Sequence, residues 1–303
     1  MTDVIKEDVH PVFKALPLGR ALVAGKHGLF LVNTHDHFIA KCLMHAGEYS
    51  EGELETFGQL DLRNCVVIEV GANIGSLSIP MAKYLQDRNC RLVCYEPQAR
   101  VYEMLCANVT LNALSNVELK QLAVSNKSGT LYTNPINYDR ENNFGGVAFS
   151  KSKKGHPISV MCTTIDCDFE HSSQRVGLIK IDVEGNELVV LEGAVTLIKN
   201  DRPCLYFQND RLELSMSLLT FTRDLGYTLY WDCPYLLTED NFFKYKPEPS
   251  VERLISVNVL ALPTESLSHY EKLCAALNRV DDLNWHPLIP QTEMNLEYNR
   301  NPA

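Results

Sequence analysis

The segment Val66-Val67-Ile68-Glu69-Val70-Gly71-Ala72-Asn73-Ile74-Gly75 indicates the fold of this chain. Its first five residues form an apolar run rich in β-branched side chains, which predicts a buried strand. Two glycines follow in a short turn, and the amphipathic stretch after them predicts a helix over roughly 74–86. A strand that turns directly into a helix begins a βαβ unit, so the segment favours an α/β fold.

The same alternation continues toward the C-terminus and extends this pattern into a sheet. Further strands are predicted at 91–95, 117–122, 178–182, 203–207, 227–231 and 255–262, with helices over about 98–112 and 185–199. No strong helix separates the last two strands, so we expect them to pair antiparallel. The sequence therefore predicts an α/β protein with a doubly wound, seven-stranded Rossmann-like sheet and a closing antiparallel hairpin.

The pattern divides the chain into three expected parts. Residues 1–60 are expected to form an N-terminal extension or cap, with short strands at 21–24 and 29–33. Residues 61–263 form the expected catalytic domain, in which 129–133 and 158–163 make a smaller hairpin. Residues 264–303 are expected to contain a helix through Leu277 and then an irregular tail.

Composition and charge narrow the class of protein. The chain has 303 residues, 45% of them hydrophobic, and a formal net charge of −10. That charge would repel a phosphate backbone, so nucleic acid is not expected as a partner. The apolar runs are far shorter than the ~20 residues that cross a bilayer, so no membrane partner is expected. The ten cysteines contain no Cys-x-x-Cys pair, and we expect reduced thiols in a cytoplasmic protein.

The glycine turn also predicts a ligand site. A turn between a buried strand and a helix places backbone N–H groups near an anionic ligand group, here a carboxylate or a phosphate. A dinucleotide-binding turn would need Gly-x-Gly-x-x-Gly, but Asn73 and Ser76 replace the second and third glycines. Pyrophosphate binding is therefore disfavoured. The alternative for Gly71 and Gly75 is a plain tight turn without a ligand.

An acidic residue ends the second strand of the sheet, in the sequence Tyr95-Glu96-Pro97. In this topology the acid faces the crevice at the carboxyl ends of the strands, where it can accept hydrogen bonds from both hydroxyls of a ribose. The alternative is a solvated strand-end acid or a helix cap. Together the turn and Glu96 predict a nucleoside ligand with a small anionic group.

The sequence resembles FkbM-type methyltransferases over roughly residues 47–263. The matching segments are Gly47 to Glu53, Glu69 to Gly75, Tyr95-Glu96-Pro97, Asn142 to Gly146, Ile179 to Gly185, and Asn209-Asp210-Arg211. The resemblance implies a Rossmann-like methyltransferase fold that binds S-adenosylmethionine. It places the methionine end of this cofactor at Gly71, Ala72, Asn73 and Gly75, the ribose at Glu96 beside Pro97, and the adenine near Leu122 and Ala123.

Two residues depart from the pattern of that family. Glu69 stands where the family more often has Asp, which keeps the charge and should leave Glu69 in the cofactor site. Gln208 stands where Glu is usual, which removes a carboxylate from the expected mouth of the active site. We therefore assign Gln208 no catalytic role from the sequence.

Acidic and amide side chains follow the fourth and fifth strands and are the candidate catalytic residues. Asp182 and Glu184 lie where a carboxylate could act as general base or orient a methyl acceptor. Glu184 could instead add negative charge to the start of the next helix. Asn209 follows the neighbouring strand and is expected at the same site.

The oxygens of Asp182, Asn209 and Asp210 also suit Mg²⁺, which prefers hard oxygen ligands. A metal there is one reading of the sequence. The other is a hydrogen-bonded polar cluster that contacts the substrate directly.

Aromatic residues of the loops and the closing hairpin are expected to surround the methyl acceptor. They are Phe144, Tyr230, Trp231, Tyr235, Phe242 and Phe243. The sequence thus predicts methyl transfer from S-adenosylmethionine to a hydroxyl of a small molecule, such as a sugar or a polyketide. The rival interpretations are a nicotinamide-dependent oxidoreductase and a non-catalytic nucleoside-binding scaffold.

Overall fold

The computed structural model describes residues 13–153, 155–246 and 254–289. Its main sheet contains the strands β4 (Val66–Val70), β5 (Arg91–Tyr95), β6 (Val117–Lys120), β10 (Val176–Ile181), β11 (Cys204–Gln208), β12 (Tyr227–Asp232), β13 (Asn258–Pro263) and β14 (Asn278–Arg279). Their order is β14-β12-β13-β11-β10-β4-β5-β6. The five strands from β11 to β6 are parallel, while β13 pairs antiparallel with β11 and with β12. The predicted fold class and the closing antiparallel hairpin are confirmed.

Helices cover both faces of the main sheet, because alternate side chains of its strands point to opposite sides. The helices are α1 (Ile39–Ala46), α2 (Glu51–Gly58), α3 (Ser78–Gln86), α4 (Ala99–Leu111), α5 (Ile165–Asp168), α6 (Glu187–Glu192), α7 (Val195–Asp201), α8 (Leu212–Asp224) and α9 (Glu271–Ala276). One hydrophobic core joins the sheet to α1–α4 and α9. A second core joins the opposite face to α5–α8. The sheet is therefore doubly wound.

The N-terminal segment forms a separate antiparallel sheet of β1 (Phe13–Leu16), β2 (Arg20–Gly25) and β3 (Gly28–Asn33). Its β2–β3 hairpin confirms the two strands predicted there, whereas β1 was not predicted. Residues 1–12 of the expected extension lie outside the described residues. Buried side chains of β2, β3 and α1 belong to the same core as α3 and α4. The segment therefore packs on one face of the main sheet.

The predicted smaller hairpin is also present, but it belongs to a third sheet. Strand β7 (Ala123–Val124) pairs parallel with β9 (Ile158–Thr163), which pairs antiparallel with β8 (Gly129–Thr133). The run predicted at 117–122 therefore ends at Lys120, and the chain then leaves the main sheet. Leu122 and Ala123 lie at this crossing point.

Two helices begin later than predicted because the backbone is left-handed just before them. Asn73 and Gly75 have φ values of 51° and 88°, so α3 begins at Ser78. Glu184 and Gly185 have φ values of 57° and 91°, so α6 begins at Glu187. In both cases the irregular backbone lies at the carboxyl end of a central strand.

The single helix predicted over 185–199 is two helices, α6 and α7, which are separated at Gly193. A Cβ at Gly193 would lie 2.1 Å from the carbonyl oxygen of Ser125, so the two backbone segments lie too close together for a side chain at this position. The carboxylate of Asp166 accepts hydrogen bonds from the N–H groups of Thr196 and Leu197, at 2.9 and 2.8 Å. These bonds satisfy two N–H groups at the start of α7.

The main sheet has eight strands, one more than predicted. A 3₁₀ helix (Thr264–His269) and α9 replace the single helix expected through Leu277, and β14 then pairs antiparallel with β12. Most of the expected irregular tail, from residue 290 onward, lies outside the described residues. No helix in the described ranges has the length and hydrophobicity needed to cross a membrane.

Candidate active site

A cavity of about 450 Å³ lies at the carboxyl ends of the central strands. Its floor comes from the ends of β4, β5, β10 and β11, which is where ligands bind in open α/β sheets. The cavity is lined by residues of all three regions named in the sequence: Glu69, Gly71, Ala72, Asn73, Glu96 and Pro97, then Asp182 and Glu184, then Asp210. The structure therefore brings together most of the predicted site residues.

A second cavity of about 250 Å³ lies beside the first and is lined mostly by apolar side chains. Leu122 and Ala123, the two residues predicted near an adenine, line it. Four residues line both cavities, so the two volumes meet along one boundary: Gly71, Pro97, Phe149 and Val183. Gly75 lines neither cavity. It packs against Leu105 instead.

The backbone N–H groups of the glycine turn all donate hydrogen bonds within the protein. Gly71 N and Ala72 N donate to Tyr95 O at 3.0 Å, Asn73 N to Glu96 Oε2 at 3.0 Å, Ile74 N to Asn73 Oδ1 at 2.7 Å, and Gly75 N to Ala72 O at 2.9 Å. The turn is thus tied to the end of β5. The backbone donors expected to meet an anionic ligand group are already used.

Glu96 is held by two backbone donors, one for each carboxylate oxygen. Oε2 accepts from Asn73 N at 3.0 Å, and Oε1 accepts from Gln98 N at 2.8 Å. Each carboxylate oxygen can accept a further hydrogen bond. Burial raises the pKa of Glu96 to about 7. The side chain therefore presents two fixed acceptors at the cavity wall, in a setting where donors from a ligand would stabilise its charge.

Lys180 lies on the cavity floor between two acidic side chains. Its residue exposure is only 3%, and its Nζ lies 3.6 Å from Glu69 Oε1 and 3.5 Å from Asp182 Oδ2. Burial alone would lower the pKa of Lys180, but the charges of Asp182, Glu69 and Glu53 raise it above its ordinary value. Lys180 therefore stays protonated. Sequence reasoning missed this residue.

Asp182 and Glu184 have different surroundings although both line the cavity. The Asp182 side chain is 37% exposed, so its carboxylate is accessible from the cavity. Glu184 accepts a hydrogen bond from the guanidinium of Arg211, which also lies 3.4 Å from Asp210 Oδ1. The alternative considered for Glu184 was an acid at the start of the next helix, and Glu187 occupies that position instead. Its Oε1 accepts hydrogen bonds from Val183 N and Gly185 N at 3.1 Å.

Asn209 does not line the cavity, in contrast to its neighbours Gln208 and Asp210. Its side-chain amide donates to Ser215 Oγ at 2.9 Å, and its carbonyl oxygen accepts from His286 Nε2 at 2.7 Å. Within the described residues, no three His, Cys, Asp or Glu side chains are placed to hold a metal ion together. Of the three residues predicted as Mg²⁺ ligands, Asp182 and Asp210 line the cavity and Asn209 does not.

The N-terminal segment and the long loop between β8 and β9 form two further walls, and residues 236, 254–257 and 288 form another. Phe38, Ile39 and Tyr49 come from the first, and Asn143, Gly145, Val147 and Phe149 from the second. Asp36 joins the two, because its carboxylate accepts from Ala40 N at 2.8 Å and from Phe144 N at 3.3 Å. Gln98 also holds the loop, donating to Phe144 O at 2.9 Å.

The aromatic residues predicted around the acceptor were the wrong set. None of those six side chains lines the main cavity. Tyr230, Trp231 and Phe144 are buried in the cores instead, while Tyr235 and Phe242 are about half exposed elsewhere. Their place is taken by Phe38, Tyr49 and Phe149. The matching segment Gly47 to Glu53 was the signal that could have indicated Tyr49.

Comparison with known proteins identifies the family of the chain. A model of the methyltransferase FkbM domain matches residues 69–255, which is more than half of the chain. The curated relative methyltransferase sdnD from Sordaria araneosa is 29% identical over 162 residues, which cover 43% of this chain and 60% of that protein. The chain thus aligns with less than two thirds of that relative's length.

Two of the solved structures that the chain resembles carry methyltransferase names. Methyltransferase FkbM from Methylobacillus flagellatus has 17% identity and a TM-score of 0.40, covering 65% of this chain and 43% of that one. Precorrin-6y C5,15-methyltransferase from Geobacter metallireducens has 15% identity and a TM-score of 0.40, covering 70% and 88%. The domain match spans the glycine turn, Glu96 and the ends of β10 and β11, and it covers more than half of the chain. The chain therefore belongs to the FkbM methyltransferase family.

Proposed function

We propose that this methyltransferase uses S-adenosylmethionine and transfers its methyl group to a hydroxyl of a small molecule. The observation that carries the proposal is the pair of cavities that meet along Gly71, Pro97 and Phe149. The smaller, apolar cavity suits an adenine ring. Glu96, which lines the larger cavity next to Pro97, supplies two anchored acceptors for the ribose hydroxyls.

The size and lining of the larger cavity support a small acceptor. Its volume of about 450 Å³ falls within the range of small-molecule sites, and it must also take the methionine end of the cofactor. The lining adds apolar residues, among them Phe38 and Leu254, to the polar floor. The net charge of −10 argues against nucleic acid as the substrate.

Asp182 is the residue that the geometry favours as general base. When bound, S-adenosylmethionine supplies an electrophilic methyl group, and an acceptor hydroxyl must lose its proton as it attacks. A carboxylate Oδ of Asp182 is accessible from the cavity and can take that proton. Lys180 cannot take it, because its raised pKa keeps it protonated. Its ammonium instead holds a positive charge beside the reacting centre.

Mg²⁺ does not fit the residues around this centre. Asn209 does not line the cavity, and the positive charges of Lys180 and Arg211 already lie beside Asp182 and Asp210. The cluster is thus better described as a polar clamp. No step of the proposed reaction involves a metal ion.

Calorimetry and a methyl-transfer assay test the proposal. The protein should bind S-adenosylhomocysteine and should not bind NAD, which separates it from the oxidoreductase interpretation. With radiolabelled S-adenosylmethionine and a panel of hydroxylated sugars, phenols and polyketides, label should pass to at least one compound. Binding without release of S-adenosylhomocysteine, even with cell extracts as the acceptor source, would instead favour the non-catalytic scaffold.

A further inference from the structure

The methionine end of the proposed cofactor carries a carboxylate that needs a partner, and the inference below rests on the proposed use of S-adenosylmethionine. The N–H groups of the turn 71–75 are not that partner, since all five donate within the protein. A carboxylate left without compensating donors in a buried site is strongly disfavoured. Another group of the cavity must therefore supply the positive charge or the donors.

The charges of the cavity limit which groups these can be. Five acidic side chains line it: Glu69, Glu96, Asp182, Glu184 and Asp210. Two basic side chains, Lys180 and Arg211, line it within the described part of the chain. This acidic surrounding suits the cationic sulfonium and ammonium groups of the cofactor. It repels the carboxylate unless that group lies against one of the two cations.

Lys180 is the better placed of the two cations. It pairs across the β10–β4 ladder with Glu69, two residues before Gly71, so it lies under the glycine turn. Arg211 lies one strand farther away, beyond β11, and already bonds to Glu184 and contacts Asp210. Its position is thus at the acceptor side of the cavity.

The ammonium of Lys180 also has donor capacity left. Its contacts with Glu69 and Asp182, at 3.6 and 3.5 Å, are longer than the ~2.9 Å of a good hydrogen bond. An ammonium group has three N–H donors, and these two contacts leave room for a closer acceptor. A carboxylate oxygen from a ligand would be such an acceptor.

We propose that Lys180 binds the carboxylate at the methionine end of the cofactor. Glu69, which lies beside Lys180 and also lines the cavity, then faces the cofactor ammonium and completes a recognition site for an amino acid group. The charge of Lys180 thus serves cofactor recognition as well as balance among the buried acids. The local sequence motif does not distinguish cofactor recognition from charge balance. An experiment must therefore distinguish these two roles.

One other part of the site competes for this carboxylate. Ser76 and Leu77 line the cavity just before α3, and the first helical bond there is Ile79 N to Gly75 O. The N–H groups of a helix start can hold an anion. If the carboxylate bound there, Lys180 would be a structural counterion only.

Three ligands that differ in one group each separate these alternatives by calorimetry. S-Adenosylhomocysteine carries both the ammonium and the carboxylate, its decarboxylated analogue lacks the carboxylate, and 5′-methylthioadenosine lacks both. In Lys180→Met, affinity for S-adenosylhomocysteine should fall by about tenfold or more, as for loss of a hydrogen bond to a charged group. Affinity for the other two ligands should stay within about twofold.

A matched control and a folding control complete the design. Arg211→Met removes the other cavity cation and should leave the preference for the carboxylate ligand unchanged. Because Lys180→Met leaves buried acids unpaired, Lys180→Met combined with Glu53→Gln restores part of the charge balance through a residue that does not line the cavity. Melting curves should confirm that the variants are folded.

The outcomes distinguish this proposal from the proposed function. An equal loss for all three ligands in Lys180→Met would show a structural role and overturn the proposal. An unchanged preference for the carboxylate ligand would assign the carboxylate to the N–H groups of Ser76 and Leu77, and would overturn it as well. If the unmodified protein bound none of the three, the proposed cofactor itself would be refuted.

Discussion

The α-carbon of Gly71 lies against the backbone of Asp182, so that a Cβ at position 71 would stand 1.8 Å from the Asp182 carbonyl oxygen. Gly71 also has a φ of 87°, which side chains disfavour. The glycine turn and Asp182, the candidate base, are therefore held together by direct backbone contact at the ends of β4 and β10. This contact fixes the position of one relative to the other.

Gly71→Ala should accordingly damage both functions of the site at once. The added methyl group must push the turn away from Asp182. We therefore expect S-adenosylhomocysteine affinity and methyl transfer each to fall about tenfold or more, because a tenfold loss corresponds to only about 1.4 kcal/mol. Gly58→Ala is the matched control, because no atom lies within 4 Å of its added Cβ. Calorimetry should show unchanged binding in that variant. Normal binding by Gly71→Ala would mean that the turn tolerates the shift.

Glu96→Ala tests the ribose site. The variant loses two acceptors for the ribose hydroxyls, and hydrogen bonds to a charged group contribute about 1.5–3 kcal/mol each. Affinity for S-adenosylhomocysteine should fall by tenfold or more in a protein that keeps its melting temperature within a few degrees. An unchanged dissociation constant would remove Glu96 from the cofactor site.

Cofactor binding should depend on pH through Glu96. Its pKa of about 7 in the free protein is raised by burial, and hydroxyl donors from a ribose would stabilise the charged form. The pKa therefore falls on binding, and binding should release up to about half a proton at pH 7 and up to about one proton at pH 6. Affinity should then decrease as pH falls below about 7, by up to about tenfold per unit.

Calorimetry in two buffers with different ionisation enthalpies measures this proton release directly. Glu96→Gln is the control, because it keeps the shape and removes the titration. Burial also raises the pKa of Glu53 and of Glu187 to about 7. Burial raises the pKa of the cavity residues Glu69 and Glu184 as well, so a release that persists in Glu96→Gln would assign the proton to one of these four acids.

The strands of the parallel sheet and the residues at their carboxyl ends could be predicted from the sequence because their signals are local. Apolar runs, the glycine turn and the Tyr95-Glu96-Pro97 strand end each lie within a few residues. The parallel sheet then brings the carboxyl ends of β4, β5, β10 and β11 to one edge. Glu69, Glu96 and Asp182 therefore line one cavity, as the motifs indicated.

Neighbouring side chains at the end of β11 lie in different surroundings. Gln208 and Asp210 line the cavity while Asn209, between them, bonds to Ser215. Sequence reasoning grouped Asn209 with Asp210 without regard to this difference. Lys180 was missed for another reason: its importance depends on pairing with Glu69 across β10 and β4, and the register of two distant strands is not a local signal.

Asp182→Asn should separate catalysis from cofactor binding. The amide keeps the shape of the side chain but cannot take a proton, so turnover should fall by about 10²-fold or more while S-adenosylhomocysteine affinity changes little. Its contact with Lys180 weakens, which melting curves would register as a modest loss of stability. Equal losses in turnover and affinity would point to a structural role, and full activity would remove Asp182 as the base.

Treatment with EDTA should leave methyl transfer unchanged. Asn209 does not line the cavity, Asp182 lies 3.5 Å from Lys180, and Asp210 lies 3.4 Å from Arg211. A divalent ion at this point would meet two fixed ammonium or guanidinium charges at short range, and like charges raise the cost of binding it. With an acceptor from the methyl-transfer panel, the rate after dialysis against EDTA should equal the rate with added Mg²⁺ or Mn²⁺. A loss of turnover that Mg²⁺ restores, with cofactor affinity unchanged, would show instead that the cations move aside and that the acid–amide cluster binds a metal.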